Sequence, residues 1–495
     1  MRLPAASAAL ALATVLVPAV IATQSAQAQT FTTLHSFDGN DGRDPESAGL
    51  IQATDGNLYG TTPGGGSNLT GTAFKITPSG TLTTIYNFCP EVGPCGAGPY
   101  AGLVQATNGN FYGTTLGGGT NSNNGTVFEI TPSGTLTTLY SFCSQNQGGI
   151  CTDGQYPYAG LVQGTDGNFY GTTIYGGVNS CPGLPGCGTV FKITSGGALT
   201  TLHSFDGTDG FNPYAGLVQA TNGNFYGTVY AGGATGHGTV FKITPSGTLT
   251  TLYNFCSPTN GCTDGEYPYA ALVQATNGNF YGTTTVSGAA GDQGTVFEIT
   301  PSGTLTTIYN FCTQTGCPDG ASPDSALVQA TDGNFYGTTF GGGANACPGG
   351  GGCGTVFKIT PSGALTTLYI FCTQNGCPDG TNPEAALVQD TNGDFYGTTF
   401  SGGANGLGTV FSLSLGFRRF VETQPTSGKV GAAVKILGTN LTGSTSVTFN
   451  GTPAAFGVVS ATEITTTVPA GATTGKVQVT TPSATLTSNV NFRVP

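Results

Sequence analysis

The chain has 495 residues, of which 7% are charged and 83 are glycine, and a formal net charge of −12 from 12 Lys and Arg against 24 Asp and Glu. So acidic a balance excludes the clustered Lys and Arg that binding to a nucleic-acid backbone requires. Thr, Val, Tyr, Phe and Gly dominate while helix formers are scarce, so an all-β chain is expected.

Residues 1–28 hold a single early charge, Arg2, an apolar run from Leu10 to Ile21 and the pattern Ala26-Gln27-Ala28. These are the parts of a secretory signal with its cleavage site, and the mature chain is expected to be secreted or at the cell surface. The run falls short of the ~20 residues that a membrane span needs, and no later stretch reaches that length. No membrane span is predicted, and Asn491–Pro495 shows neither a hydrophobic tail nor a basic cluster.

Next comes Thr32-Thr33-Leu34-His35-Ser36-Phe37, a lone strand that nearly repeats Thr200-Thr201-Leu202-His203-Ser204-Phe205. From Leu58-Tyr59-Gly60 onward the tripeptide Phe-Tyr-Gly or its near copy recurs with its Tyr at 59, 112, 170, 226, 281, 336 and 396. The spacing averages about 56 residues, a period that signals repeated supersecondary units.

Each unit predicts four strands, here called a to d: in the second copy 101–106, 110–115, 125–131 and 135–142. Asn-Gly or Asp-Gly joins a to b in every copy, suiting a tight type I′ hairpin, and Pro-Ser-Gly usually joins c to d. Strands b and d carry bulky residues at adjacent positions, such as Phe111 with Tyr112, so both faces of the sheet need cover. A radial array of four-stranded blades supplies it. The last unit stops at Gly408–Ser414 with no d strand after it, and the lone N-terminal strand is the missing piece. The prediction for residues 29–415 is a seven-bladed β-propeller closed by its N-terminal strand, which leaves no open blade edge.

In such a meander the tight turns share one end, and the long b-to-c and d-to-a loops share the other. That loop face also carries all 14 cysteines, as neighbouring pairs: Cys89 with Cys95, Cys143 with Cys151, Cys181 with Cys187, Cys256 with Cys262, Cys312 with Cys317, Cys347 with Cys353 and Cys372 with Cys377. An even count in an exported chain predicts seven local disulfides, each worth about 2 kcal/mol. Zinc is the competing reading, but paired His and Cys-x-x-Cys spacing are missing.

The repeat pattern breaks at residues 416–424, predicted as a linker. Residues 425–495 carry Pro425-Thr426-Ser427-Gly428, Val434-Lys435-Ile436-Leu437-Gly438-Thr439-Asn440-Leu441, Val447-Thr448-Phe449-Asn450-Gly451 and Val468-Pro469-Ala470-Gly471-Ala472. This run resembles the IPT/TIG immunoglobulin-like family, which implies a small β-sandwich acting as a spacer or adhesive accessory. Over residues 31–415, the Asn-Gly-Asn-Phe-Tyr-Gly-Thr-Thr and Gly-Thr-Val-Phe-Lys-Ile-Thr elements resemble the bacterial surface repeats called GloVer, or choice-of-anchor tandem repeats. That resemblance implies export and surface association without a settled activity.

Most repeated residues read as scaffold, among them the strand-a glutamines Gln52, Gln105, Gln163, Gln219, Gln274, Gln329 and Gln389. The informative position is one where the copies disagree, the residue after Pro in the loop entering strand a: Glu46, Tyr100, Tyr158, Tyr214, Tyr269, Asp324 and Glu384. Tyrosine faces beside carboxylates suit sugar rings. The expected function is therefore non-catalytic: a monomeric binding or adhesion protein whose loop face takes a glycan or an extracellular surface protein. The alternative is a polysaccharide-acting hydrolase or lyase using these carboxylates. No metal or cofactor is assigned; calcium is weighed for Asp38, Asp41, Asp44, Asp206 and Asp209, whose spacing matches no EF-hand. His35 and His203 stand where other units have Tyr, while His237 lies alone in a loop with no orienting carboxylate evident nearby in sequence.

Overall fold

The computed structural model describes residues 29–47, 49–89, 93–257, 261–288, 293–343, 347 and 352–495. The expected signal, residues 1–28, lies outside them. Every element among the described residues is a strand. Among the described residues, no helix is long and apolar enough to cross a membrane. Seven four-stranded antiparallel sheets follow one another, giving an all-β, propeller-like array. In the second unit the strands are Val104–Gln105, Phe111–Thr115, Thr126–Ile130 and Leu136–Ser141.

The last sheet draws its fourth strand from the other end of the chain. Thr30–Ser36 pairs antiparallel with Thr409–Ser414, beside Phe395–Thr399 and Val388–Gln389. In the second unit the c-to-d register skips Leu139, a β-bulge, and the N-terminal strand skips Leu34 at the matching place. That shared irregularity marks the N-terminal strand as a d strand that the chain delivers first. The bulge also explains the adjacent bulky residues of strand d, because an extra residue breaks the two-residue alternation.

The a-to-b turns differ from the expected type I′ form. At Asp55-Gly56 only Gly56 has positive φ, 80°. Ala53 accepts from Gly56 N at 2.9 Å and donates to Asn57 O at 2.9 Å, closing a three-residue loop. Asp55 Oδ1 caps the turn by accepting from Asn57 N at 3.0 Å. Asx side chains support such a turn from the right-handed region, so one glycine suffices.

The repeated tripeptide is the joint between sheets. Tyr112 stacks on Phe169 of the next unit with centroids 4.0 Å apart, and the same contact runs from Tyr59–Phe111 to Tyr336–Phe395. At the closing seam Tyr396 packs in one cluster with Leu58. The glycine faces Phe of strand c: at Gly60 an added Cβ would lie 2.7 Å from Phe74 Cζ. Each apolar core therefore lies between two sheets, as where Tyr59 and Phe88 meet Leu103 and Phe128.

A second ring of contacts uses the strand-a amides. Thr54 N donates to Gln105 Oε1 at 2.9 Å, Thr165 N to Gln219 Oε1 at 2.9 Å, and Thr391 N to Gln52 Oε1 at 3.0 Å. The other four steps around the ring repeat the bond. The glutamines are thus satisfied inter-sheet connectors, as buried amides require.

Beyond Ser414, two further four-stranded antiparallel sheets share one core that includes Val434, Ile436, Phe449, Ile464, Val479 and Phe492. They rest on the tight-turn face: Thr462 Oγ1 donates to Thr54 O at 2.8 Å and Phe420 N to Thr391 O at 3.1 Å.

All seven expected cysteine pairs are disulfides. Cys89 bonds to Cys95, Cys143 to Cys151, Cys181 to Cys187 and Cys256 to Cys262. Cys312 bonds to Cys317, Cys347 to Cys353 and Cys372 to Cys377. No cysteine is free among the described residues, so the thiolates that the zinc reading needs are absent there. The pairs differ in how their loops bury them: Cys151 and Cys187 are buried, while Cys262 and Cys317 are half-buried and adopt positive φ, 62° and 46°. Seven disulfides together with the lack of a membrane-spanning helix among those residues are compatible with an extracellular protein.

Candidate functional site

In every unit the residue before the strand-a proline adopts positive φ: Asp44 (53°), Gly98 (64°), Tyr156 (57°), Asn212 (60°), Tyr267 (56°), Ser322 (52°) and Asn382 (56°). For residues as bulky as Tyr this conformation is uncommon and strained, and it persists because neighbours hold it. Tyr156 N donates to Asn124 O at 2.9 Å and Ile174 N to Tyr156 O at 3.1 Å, pinning the corner between two b-to-c loops. The residue after the proline is thereby delivered to the same place in each unit.

Those side chains from far apart in the chain meet. Tyr100 stacks on Tyr158 at 5.2 Å and Tyr214 on Tyr269 at 5.2 Å, while Tyr158 meets Tyr214 edge-on at 5.5 Å. Tyr269 Oη donates to Tyr158 Oη at 2.7 Å, and Ser47 Oγ lies 3.1 Å from that same oxygen. The tyrosines are therefore not the open platform that the sequence suggested. Tyr158 is only 8% exposed, and the cluster plugs the axis because packing the rings removes their surface from water and the stacked and edge-on geometries add to that gain. Burial, reinforced by the charge of Glu46, raises the Tyr158 phenol far above its ordinary range.

The three carboxyl groups lie beside the tyrosines, close enough that the charge of Glu46 acts on Tyr100 and Tyr158 and that of Glu384 on Tyr269. Burial, then the charges of Glu46 and Asp324, pushes Glu384 up to about 8. Burial pushes Asp324 up to about 7, and its Oδ1 is enclosed without a hydrogen-bond partner beside the Thr285 side chain. Burial followed by the charge of Asp44 raises Glu46. Both shifts favour the protonated, uncharged form of these carboxyl groups near neutral pH, more so for Glu384 than for Asp324. Tyr214, Tyr230, Tyr269, Thr285, Asp324 and Glu384 enclose a cavity of about 320 Å³.

Tyr230 and Thr285 join this cavity unforeseen. They occupy the position just after strand b, where the copies read Pro63, Leu116, Ile174, Tyr230, Thr285, Phe340 and Phe400. Disagreement between repeats, the signal that picked out Glu384, would have found them. Beneath the plug the axis is lined by small residues, including Gly49, Gly102, Gly160, Gly216, Ala271 and Ala386, around about 400 Å³.

The remaining candidates fold loops. Asp41 Oδ2 lies 2.6 Å from His35 Nε2 and its Oδ1 accepts from Asp38 N at 2.9 Å; Asp209 repeats the arrangement with His203 and Asp206. In other units Tyr replaces His, as where Tyr253 Oη donates to Asp264 at 2.7 Å. Of the carboxylates weighed as calcium ligands, Asp38, Asp41, Asp206 and Asp209 are thus engaged with backbone N–H groups and ring nitrogens, while Asp44 Oδ2 lies 3.6 Å from Arg43 Nε. His237 does have an orienting carboxylate, 29 residues away: its Nδ1 lies 2.7 Å from Glu266 Oε2, and Ser287 donates to Glu266 Oε1 at 2.5 Å. The loop-entering corner at Tyr267 brings them together. Among the described residues two groups have metal-like spacing, Cys353 with Cys372 and Cys377, and His237 with Cys256 and Glu266. Their cysteines are all in disulfides, which removes the thiolates that would bind an ion.

The sequence profile described as Gloeobacter/Verrucomicrobia repeat matches residues 19–181, 149–347 and 315–487. No curated protein matches this chain. Among solved structures, a fungal alcohol oxidase of the AA5 family in complex with copper is 12% identical, with 94% of this chain and 98% of that chain covered at a TM-score of 0.51. The periplasmic gluconolactonase of Pseudomonas aeruginosa is 16% identical, covering 66% and 84% at 0.43. A putative 6-phosphogluconolactonase from Bacteroides fragilis is 17% identical, covering 68% and 85% at 0.41. At 12% identity the likeness to the alcohol oxidase is one of fold alone.

Proposed function

This chain belongs to the Gloeobacter/Verrucomicrobia repeat family, and we propose that it is an exported binding protein whose loop face takes a glycan. We read its seven sheets as the blades of a closed seven-bladed β-propeller over residues 29–415. The C-terminal part is an IPT/TIG-type Ig-like sandwich serving as spacer or accessory. That unit takes in residues 422–424 as well, since Glu422–Gln424 already pairs with Ala433–Leu437. Removal of residues 1–28 releases the mature protein outside the cell as a monomer.

The observation that carries the reading is the 320 Å³ cavity itself. It joins three tyrosine rings to two carboxyl groups held partly or wholly protonated at neutral pH. A sugar needs that combination of apolar face, donor and acceptor, without the cost of burying full charges. Glu46, Tyr100 and Tyr158 then act behind the cavity, positioning Tyr214 and Tyr269. The test is a polysaccharide and oligosaccharide array probed with the mature protein and with Tyr214→Ala. The variant should bind at least ~10-fold more weakly, the loss of one stacked ring. No binding by the parent protein overturns the proposal.

Two carboxyl groups lining one cavity, both raised by burial, also support the second reading, a hydrolase or lyase, because a carboxyl that keeps its proton can act as an acid beside one that releases it. Turnover of a defined polysaccharide that Glu384→Gln abolishes would make that reading the correct one.

A further inference from the structure

Resting on the glycan reading above, we propose that the cavity bounded by Tyr214, Tyr230 and Tyr269 selects a positively charged sugar. Its ligand is an amino sugar, whose ammonium group seats among the tyrosine rings and the carboxyl groups of Asp324 and Glu384.

Two independent features meet in this cavity. The first is an aromatic wall: Tyr214 stacks on Tyr269 at 5.2 Å, and Tyr230 meets Tyr214 edge-on at 5.4 Å and stacks on Tyr267 at 4.9 Å. Tyrosine faces attract cations through the ring quadrupole, most strongly where water is excluded. The second is acid without a counterion. Asp324 and Glu384 both line the cavity, and its lining includes no Lys, Arg or His. Arg43, the cation nearest in sequence to Glu46, pairs with Asp44 at 3.6 Å.

Rings and acids lie within reach of one another. The charge of Asp324 acts on Tyr230 and that of Glu384 on Tyr269, while Glu46 and Asp324 both act on Glu384. Acids that face one another in this way hold their protons until a cation takes the proton's place. When a sugar ammonium enters, a carboxyl group releases its proton to solvent, and the resulting carboxylate accepts a charge-assisted hydrogen bond from the ammonium. The C–H face of the sugar ring then packs on tyrosine. A metal ion suits the cavity less well. Calcium takes about six to eight oxygen ligands, whereas much of this lining is carbon rings. Among the described residues, moreover, Glu46, Asp324 and Glu384 are not one of the clusters whose ligand atoms lie within 4.8 Å of one another. An acidic sugar would meet like charge.

Calorimetry on the mature protein compares tetrasaccharides of glucosamine, N-acetylglucosamine and glucose, with tetralysine as a cation that carries no sugar, in a buffer acid enough to keep the amine protonated. The glucosamine tetramer should bind at least ~10-fold more tightly than either neutral tetramer. Asp324→Asn and Glu384→Gln, each a neutral replacement of similar shape checked by its thermal melt, should each reduce that preference to about 3-fold or less. Equal binding of the glucosamine and glucose tetramers, or a preference that survives both substitutions, overturns the proposal and leaves the glycan reading in place. If no tetrasaccharide binds, both fall, whether or not tetralysine does.

Discussion

Replacing Glu422 with Gln should change how stability depends on pH. Glu422 sits where the C-terminal sheets meet the tight-turn face, its Oε1 accepting from Asn489 Nδ2 at 2.8 Å. Burial and then the charge of Asp390 push it from 4.5 up to about 7. Asp390, itself 1% exposed with Oδ2 unpartnered, is pushed from 3.8 to about 6 by burial, with the charge of Asp394 adding to the rise. Lys435 on the adjoining strand gives no relief, being paired with Glu463 at 3.6 Å. Because both folded-state values are raised, the folded protein holds protons that the unfolded chain has released. Stability contributed by the protonated pair is therefore full below about pH 4, falls as pH rises through the folded values, and levels off above about pH 8. For Glu422 alone the rise corresponds to about 3 kcal/mol, and the two groups titrate as a coupled pair rather than additively. Gln keeps the acceptor for Asn489 and cannot ionise. Urea unfolding of the parent and Glu422→Gln from about pH 4 to about pH 8 should show no difference at the acid end and a stabilisation of up to about 3 kcal/mol at the alkaline end. Parallel pH curves for the two proteins would refute the reasoning.

Two predictions concern the ring. At Gly134, φ is +91° and an added Cβ would lie 2.2 Å from Ile85 O of the preceding unit. Gly134→Ala should therefore cost roughly 2–4 kcal/mol in urea unfolding, and a cost below about 1 kcal/mol would count against that contact. Deleting Thr30–Phe37 removes the strand paired with Thr409–Ser414 and the stack of Phe31 on Tyr369 at 3.8 Å. The bare edge should make the protein self-associate in light scattering, and a monomeric, equally stable product would contradict closure by this strand.

Several features were legible because their partners are close in the chain or repeat with it. Disulfide partners lie 5 to 8 residues apart, as Cys312 with Cys317 and Cys143 with Cys151, so spacing alone paired them. The missing d strand showed itself as a phase offset between the two ends. The seven divergent positions could be aligned because the repeat supplied its own internal comparison. Turn geometry was read less well: Asn-Gly and Asp-Gly allow more than one loop, and the choice rests on φ angles set by the flanking strands.

The amino-acid sequence by itself determined the repeat, the strand order within it, the disulfide pairs and the positions at which the copies differ, since each is expressed in residues local to one unit. Tertiary structure alone decided what those differing residues do. Tyr158 and Tyr269 share a hydrogen bond across 111 residues of chain, His237 finds Glu266 in the next unit, and the charge of Asp390, from the last of the seven sheets, acts on Glu422 in the C-terminal pair. Whether a tyrosine is a binding platform or part of a plug, and whether a carboxyl keeps its proton, depends on burial among neighbours from other units, and ring closure is what brings those neighbours together.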